Sequence, residues 1–246
     1  MTIDEGFHYS LFEISNTYLI FDRRGDLAFF ITFEGVEGSG KTTQIQRLKK
    51  HLTRKGIPCV ITREPGGCSI SEKIRKILLD PDHHGMDPLT ELLLYEAARS
   101  QHVQEVINPL LKKGAVVLCD RFCDASIAYQ GYGRGIDLRL IDRLNRLATQ
   151  GTKPDITFLL DCPSNVGLKR AVQRNQGTRQ GREDRFEREA LEFHRRVRKG
   201  YLAVALKEPR RVKVIDTRPG EEKVFEEIRR TIDKLIGGTR NFRFQI

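Results

Sequence analysis

A glycine-rich stretch that begins at Gly35 combines the residue types that bind the phosphates of a nucleotide. The pattern Gly-x4-Gly-Lys-Thr follows the apolar run 29–33 and precedes a helical pattern. In that context, the N–H groups of the loop and of the first helical turn converge on phosphate. Lys41 adds a cation, and the Thr42 hydroxyl is suited to Mg²⁺. The predicted nucleotide-binding residues of this P-loop are Gly35, Val36, Glu37, Gly38, Ser39, Gly40, Lys41, Thr42 and Thr43.

Two acidic residues end apolar runs further along the chain. Asp120 ends the run 115–120, and Asp161 ends the run 156–161. A carboxylate in such a place can hold Mg²⁺ or its water shell. We favour Asp120, because Arg121 beside it offers a second contact to phosphate, and we interpret Asp161 as a helix cap or turn residue. Thr42 and Asp120 are therefore the predicted metal-site residues.

Arginines follow or lie near the predicted strand ends. Arg63, Arg99 and Arg121 are expected to converge on a second anion, because a guanidinium donates two parallel hydrogen bonds to phosphate. A separate basic stretch, residues 169–185, contains two glycines and no aromatic residue that would stack on bases. This composition favours a mobile lid over polyphosphate rather than a nucleic-acid surface. Its cations are Lys169, Arg170, Arg174, Arg179, Arg182 and Arg185.

Strand and helix patterns alternate along the chain, and this alternation must position those side chains. It predicts an α/β fold of the P-loop NTPase class: a five-stranded parallel sheet flanked by helices, with a small mobile lid. Ligands of such sheets bind at the carboxyl ends of the strands. The predicted strands are 29–33, 58–62, 115–120, 156–161 and 212–216, and the helical regions between them include 69–80 and 87–113.

Composition narrows the class of protein and its partners. The net charge of +10 comes from 43 Lys and Arg against 33 Asp and Glu, and a polyphosphate substrate accounts for it without nucleic acid. No stretch approaches the roughly 18 apolar residues of a membrane span, so no membrane partner is expected. The five cysteines lack the second pair that a zinc site needs, which favours reduced thiols in the cytoplasm.

We expect one domain over residues 28–236, with the lid at about 174–186. Residues 1–27 form an extension of unknown role. Three interpretations stay open for it: an appended hairpin, a floppy segment, or a start codon assigned too far upstream. Residues 237–246 are expected to be a loose tail.

The motifs in combination resemble those of the thymidylate kinase family over about residues 29–235. The resemblance implies ATP-dependent phosphorylation of dTMP to dTDP, with Mg²⁺ as cofactor, in a homodimer. It covers nearly everything except the two ends of the chain. The motifs that carry it are Phe-Glu-Gly-Val-Glu-Gly-Ser-Gly-Lys-Thr from residue 33, Thr-Arg-Glu-Pro-Gly-Gly from 62, Leu-Tyr-Glu-Ala-Ala-Arg from 94, Asp-Arg-Phe from 120 and Ala-Tyr-Gln-Gly from 128.

The family likeness also implies roles for single residues at the acceptor nucleotide. Tyr95 matches an aromatic residue that stacks on thymine, and Arg99 matches a residue that donates to the carbonyl edge of the base. Arg63 and Arg121 match the clamp on the acceptor phosphate. Glu37 matches an acid that meets the 3′-hydroxyl of the sugar.

Further positions follow from the same likeness. Ser126 and Tyr129 match positions beside the base and the 2′ side of the sugar, where a tyrosine ring would exclude a ribose hydroxyl. Gln130, in the same motif, is counted with the dTMP-binding residues. Arg170 resembles an arginine that stacks on adenine, and is counted as ATP-binding.

Catalysis requires charge neutralisation rather than a strong base, because the acceptor is already an anionic phosphate oxygen. Lys41 and Asp120 are predicted catalytic residues on that ground. Some members of the family carry an arginine in the P-loop where this chain has Gly38. The lid must then supply the charge. Arg174 matches that role best and Arg185 next, although the length of the lid leaves the assignment open.

Two rival functions remain open at this point. One is a kinase of the same fold that acts on another nucleoside monophosphate or a deoxynucleoside. The other is a P-loop protein that binds nucleic acid and uses ATP as a switch, which would explain the positive charge without any acceptor site.

Replacing the lid arginine tests its assignment. Arg174→Ala should lower kcat far more than it changes KM, because the charge is needed only as the phosphoryl group transfers. Steady-state kinetics with dTMP measure this. A near-normal kcat would move the role to Arg182 or Arg185.

Overall fold

The strands form two separate sheets. The computed structural model describes residues 9–14, 17–22, 28–176 and 185–243, with side chains for 28–173 and 185–237. In the first sheet, β1 (Tyr9–Ile14) pairs antiparallel with β2 (Thr17–Asp22). The second sheet contains β3 (Phe29–Glu34), β4 (Cys59–Arg63), β5 (Val116–Asp120), β6 (Ile156–Asp161) and β7 (Val212–Asp216). All of its pairs are parallel, in the order β4–β5–β3–β6–β7. The predicted five-stranded parallel sheet is thus confirmed.

Helices cover this sheet on both faces. The predicted helical region 87–113 is continuous: α3 (Pro88–His102) passes through a π-helical turn (Val103–Ile107) into α4 (Asn108–Lys112). A second π-helical turn (Ile127–Gly133) continues α5 (Cys123–Ser126), and such turns are frequent at functional sites. The remaining helices are α1 (Lys41–Arg54), α2 (Ser69–Leu79), α6 (Leu138–Thr149), α7 (Ser164–Gln176), α8 (Leu191–Lys207) and α9 (Glu221–Arg243).

The central strand β3 is buried on both faces, which explains its continuous apolar sequence. Ile31 and Phe33 belong to a core cluster that includes residues of α1 and α9. Phe30 faces the other way and packs in a cluster with residues from the α3–α4 segment. Glu34, at the end of β3, is fully buried although its side chain is ionisable. Its position next to the P-loop makes it part of the site.

The register of the sheet brings the polar strand ends together. Phe33 of β3 and Arg63 of β4 both pair with Asp120 of β5. The Arg121 N–H donates to the Phe33 carbonyl (3.0 Å), and the Glu64 N–H donates to the Asp120 carbonyl (2.9 Å). The P-loop, the residues after β4 and the residues after β5 therefore emerge side by side at one edge.

The structure adds detail to the interpretation of the two ends of the chain. Residues 9–22 contain the hairpin that was one of three open interpretations of the extension. The tail requires a correction, because α9 continues through Gly237 and Gly238 as far as Arg243 instead of ending before a loose tail. No helix in the part of the chain that the structure describes is long and apolar enough to span a bilayer.

Candidate active site

A cleft of about 610 Å³ opens at the edge of the sheet where the strand ends meet. Its walls come from the P-loop, the segments after β4 and β5, α3, the second π-helical turn and α7. The lining residues include Glu37, Gly38, Lys41, Thr42, Arg63, Tyr95, Asp120, Arg121, Ser126, Tyr129, Gln130, Arg170 and Phe186. Most of the residues that the sequence selected thus lie around one space, as a two-substrate site requires.

The P-loop wraps around the ammonium group of Lys41. The Nζ donates to the carbonyl of Gly35 (3.0 Å) and to that of Val36 (3.1 Å). Burial, and after it the positive charge of Arg121, lower the pKa of Lys41 to about 8. The ammonium is therefore held at the mouth of the loop, and a bound anion would favour its charged form.

Gly38 explains why this loop carries no arginine. Its φ is +66°, and a Cβ atom there would lie 2.1 Å from the Gly167 carbonyl oxygen of α7. Backbone cannot move aside as a flexible side chain does, so no L side chain fits at this position.

The structure separates the two acidic candidates for a metal site. The Thr42 hydroxyl donates to Asp120 Oδ2 across 3.3 Å, so the two predicted Mg²⁺ ligands lie together beside the P-loop. Asp161 instead accepts two hydrogen bonds from Arg198, at 2.6 and 2.8 Å. A hydroxyl and a carboxylate suit Mg²⁺, which takes its remaining oxygens from phosphates and water. The geometry favours Asp120.

Arg121 occupies the centre of the acceptor side. Its backbone has a φ of +73°, which is uncommon for a residue other than glycine. Its Nη1 donates to the Tyr201 hydroxyl and its Nη2 to Glu37 Oε1, each at 2.9 Å. The guanidinium carbon lies 4.8 Å from the centre of the Tyr129 ring. The side chain is thus oriented from several directions.

Glu37 joins the P-loop to this arginine. Besides Arg121, the Tyr129 hydroxyl donates to its Oε1, and His194 Nδ1 lies 3.4 Å from its Oε2. Burial by itself raises the pKa of Glu37, but Arg121, His194 and Lys41 together hold it well below its usual range. Glu37 therefore remains a carboxylate, able to accept a hydrogen bond from a substrate hydroxyl.

Arg63, the other member of the predicted clamp, also lines the cleft. It is half exposed, and its Nη2 lies 3.0 Å from each carboxylate oxygen of Glu72. Arg75 lines the same wall, and its Nη1 donates to the Pro65 carbonyl. The sequence analysis did not select Arg75, because this residue lies within α2 and does not follow a predicted strand.

Arg99, whose contact with the base stays a prediction, is held by groups of the protein. Its guanidinium is 1% exposed and does not line the cleft. It supports the wall from behind, through a hydrogen bond from Nη1 to the Ser126 hydroxyl at 2.9 Å. Its other acceptors are Glu64, Glu96, Asn145 and the Phe122 carbonyl. A buried guanidinium is stable only when paired in this way, so these partners fix its position.

Phe186 is an aromatic residue of the cleft that the sequence analysis did not select. It is buried and also lines the cleft. Its ring centre lies 6.3 Å from that of Tyr95 and 5.5 Å from that of Tyr129. Three aromatic rings therefore surround the part of the cleft where Ser126 and Gln130 present polar groups.

The lid residues are placed only in part. Arg170 lines the cleft. Arg174 lies in α7, but its side chain falls outside the described residues, as do Arg179 and Arg182 entirely. Arg185 lies elsewhere: its Nε donates to the Leu78 carbonyl, and its Nη2 lies 2.6 Å from Glu91 Oε2. It is buried and does not line the cleft, and its catalytic role stays a prediction.

Comparison with known proteins identifies the family. The family model for thymidylate kinase matches residues 33–228. The chain is 60% identical to the thymidylate kinase of Geotalea uraniireducens over 191 residues, which cover 78% of this chain and 90% of that one. For the thymidylate kinase of Pelobacter propionicus the identity is 57% over 202 residues, covering 82% and 92%. The chain belongs to the thymidylate kinase family.

A solved structure supports the same assignment. The crystal structure of thymidylate kinase from Ehrlichia chaffeensis superposes with a TM-score of 0.67 at 38% identity, covering 84% of this chain and 98% of that one. Membership of the family confirms the resemblance and makes the protein a nucleoside monophosphate kinase. Neither of the rival functions that the sequence left open is favoured.

Glu34 lies behind the site, between the P-loop and Arg121. It accepts the Phe122 N–H (2.7 Å) and the Tyr201 hydroxyl (2.8 Å). Burial, and after it the negative charge of Asp124, raise the pKa of Glu34 to about 8, against the opposing effect of Arg121. Its pKa in the unfolded chain is about 4.3. Folding therefore takes up a proton at this residue between roughly pH 4 and 8, and its contribution to stability falls as the pH rises through that window.

Glu34→Gln should remove this pH dependence. Because the folded wild type binds the extra proton, its melting temperature should fall relative to that of the variant as the pH rises from 5 to 8. Thermal unfolding at a series of pH values measures the difference. Glu227→Gln makes the same change on the exposed face of α9 and should leave the wild-type profile unaltered. Parallel profiles for wild type and Glu34→Gln would contradict the raised pKa.

Proposed function

We propose that the cleft catalyses the reaction of its family, the ATP-dependent phosphorylation of dTMP to dTDP, by in-line phosphoryl transfer. The single observation that carries this proposal is the ion pair of Glu37 and Arg121, which joins a phosphate-binding loop to an arginine of the acceptor side within one cleft. A switch ATPase would need only the loop. Two anion sites in direct contact are what a kinase with a phosphate acceptor requires.

The donor nucleotide is assigned to the P-loop side. Backbone N–H groups of residues 35–43 and the amino end of α1 would bind its phosphates. Lys41, already directed at the loop carbonyls, would turn to the phosphates, which are stronger acceptors. Arg170, at the same end of the cleft, is proposed to stack on the adenine.

Mg²⁺ is the cofactor that these donor groups fit. Thr42 and Asp120 would hold it, directly or through its water shell. When bound, it neutralises charge on the β- and γ-phosphate oxygens. Among the described residues no group of three or more His, Cys, Asp or Glu forms a metal site of another kind.

The acceptor nucleotide is assigned to the opposite side. Arg63 and Arg121 would bind its phosphate, and Glu37 would accept a hydrogen bond from the 3′-hydroxyl. Tyr129 donates to Glu37, and its ring would then lie beside the 2′ side of the sugar and exclude a ribose hydroxyl. Tyr95, with Ser126 and Gln130, would hold the base. The side chain of Arg99 acts on this pocket through Ser126.

Catalysis then consists of bringing two anions into line and neutralising the charge between them. The acceptor oxygen needs no general base, and Glu37 is engaged by Arg121. Lys41 and Asp120 serve the donor side. Arg174 is the proposed lid residue for the transferring group, because no side chain fits at Gly38.

A panel of acceptors tests the proposal. ADP release in a coupled assay should depend on dTMP and on Mg²⁺, with lower rates for dUMP, dCMP and thymidine and the lowest for UMP, whose 2′-hydroxyl meets Tyr129.

Arg121→Met should lower kcat/KM for dTMP by about 100-fold or more, since a charged hydrogen-bonding partner of a phosphate is lost. Arg139→Met, at an exposed position on α6, is the matched control. Faster turnover of another monophosphate would contradict the proposed function. So would salt-sensitive DNA binding without dTMP-dependent ADP release.

We also propose that the protein is a cytoplasmic homodimer. The helices α3 and α6 carry exposed leucines, among them Leu89, Leu93 and Leu147. All five cysteines are free, which suits a reducing compartment.

Leu93→Glu should reduce the sedimenting mass from dimer to monomer. Leu206→Glu places the same charge at an exposed leucine of α8 and should not. A monomeric wild type would end this proposal.

A further inference from the structure

The Tyr201 hydroxyl lies between a carboxyl group and a guanidinium group of the site without lining the cleft. Tyr201 belongs to α8 and is 2% exposed. Its hydroxyl donates to Glu34 Oε2 at 2.8 Å and accepts from Arg121 Nη1 at 2.9 Å. The hydroxyl hydrogen is committed to the carboxyl group, so the oxygen presents a lone pair to the guanidinium. Neither the mechanism above nor the sequence motifs assign this residue a role.

Glu34 holds the same arginine from a second direction. While its Oε2 orients Tyr201, its Oε1 accepts the main-chain N–H of Phe122 at 2.7 Å. That contact fixes the chain just after Arg121, whose left-handed φ of +73° persists only when its surroundings enforce it. The carboxyl group next to the P-loop therefore braces both the backbone and, through Tyr201, the side chain of Arg121.

We propose that Tyr201 is a positioning residue for phosphoryl transfer, which acts by holding the Arg121 guanidinium in the orientation that receives the acceptor phosphate. This inference rests on the proposed role of Arg121. An arginine side chain has many rotamers, and each one excluded before the substrate binds lowers the entropy lost on binding. Glu37 holds Nη2 and Tyr201 holds Nη1, so both ends of the guanidinium are engaged.

Packing alone is the competing explanation for a tyrosine at this position. Its ring centre lies 6.1 Å from that of Tyr129 in an edge-to-face arrangement, and it belongs to a buried apolar cluster. Tyr201→Phe keeps the ring and removes only the hydroxyl, so it separates the two explanations.

Tyr201→Phe should raise KM for dTMP by about tenfold or more, the effect of losing a hydrogen bond to a charged group. KM for ATP should stay within about twofold of wild type. Tyr132→Phe is the matched control: Tyr132 packs against Gly200, next to Tyr201, and among the described residues its hydroxyl makes no hydrogen bond. It should leave both constants unchanged.

A double-mutant cycle shows whether Tyr201 acts through Arg121. Lysine cannot reproduce the two-ended arrangement of the guanidinium. In an Arg121→Lys background, Tyr201→Phe should therefore change KM for dTMP by less than about threefold. Glu34→Gln is an independent second variant: the amide keeps the size of the side chain but can turn an NH₂ group towards the Tyr201 hydroxyl, and it should raise the same KM selectively.

The outcomes separate this inference from the proposed function. Equal changes in both KM values, or an undiminished effect of Tyr201→Phe in the Arg121→Lys background, would overturn the positioning role while the wild type still phosphorylates dTMP. A wild type without dTMP-dependent ADP release would overturn the proposed function, and this inference with it. A selective, non-additive rise in KM for dTMP supports it.

Discussion

The ion pair between Glu37 and Arg121 is the contact on which the rest of the site depends. Glu37 leaves the sheet after β3 and Arg121 after β5, and these two strands are neighbours. Their opposite charges bring together two loops that each exist to bind an anion. Without this carboxylate, Lys41 and Arg121 would face each other as like charges, and Arg121 already contributes to the lowered pKa of Lys41. Glu37 thus lowers the repulsion between the cations of the two neighbouring sites while no phosphate is bound.

Buried acids serve the same purpose elsewhere around the cleft. Glu64 and Glu96 hold Arg99, while Glu91 holds Arg134 and Arg185. A chain with a net charge of +10 thus keeps part of its negative charge inside, next to the arginines that shape the substrate pockets. Each of these pairs is costly to break, because removing one partner leaves an uncompensated charge in the interior. Rigidity of the acceptor pocket follows from this arrangement.

The sequence predicted the residues whose positions follow from strand ends. The P-loop, Arg63, Asp120 and Arg121 come directly after strands of one parallel sheet, so their proximity follows from topology alone. It did not find His194 or Tyr201. Both lie on α8, more than 150 residues from Glu37 and Glu34, the acids that they contact, and helical periodicity assigns them to a core face. The packing of α8 against the second π-helical turn decides their role, and no local pattern encodes that packing.

Burial separates arginines that face the cleft from those that bind acids of the protein. Arg99 and Arg185 carry charges that a sequence naturally assigns to a ligand, yet in this structure each is buried against glutamates of α3. Phe186 is the reverse case, because one ring both fills the interior and lines the cleft. The type of each residue correctly indicates the interactions that its side chain can make. Only the fold decides whether the partner in those interactions is a substrate or another part of the protein.

The contact between the P-loop and α7 has a consequence for how such enzymes diverge. A Cβ atom at Gly38 would lie 2.1 Å from the main-chain carbonyl oxygen of Gly167. A Cβ atom at Gly167 would lie 2.4 Å from the main-chain carbonyl oxygen of Glu37. Two backbones touch here, so neither position can acquire a side chain by a single substitution while α7 stays in place. A descendant of this protein could reach the P-loop arginine of some relatives only after a shift of the whole helix, and every intermediate on that route would carry the strain. The main-chain contact between the P-loop and α7, rather than the type of any side chain, thus determines that the additional positive charge cannot lie at position 38.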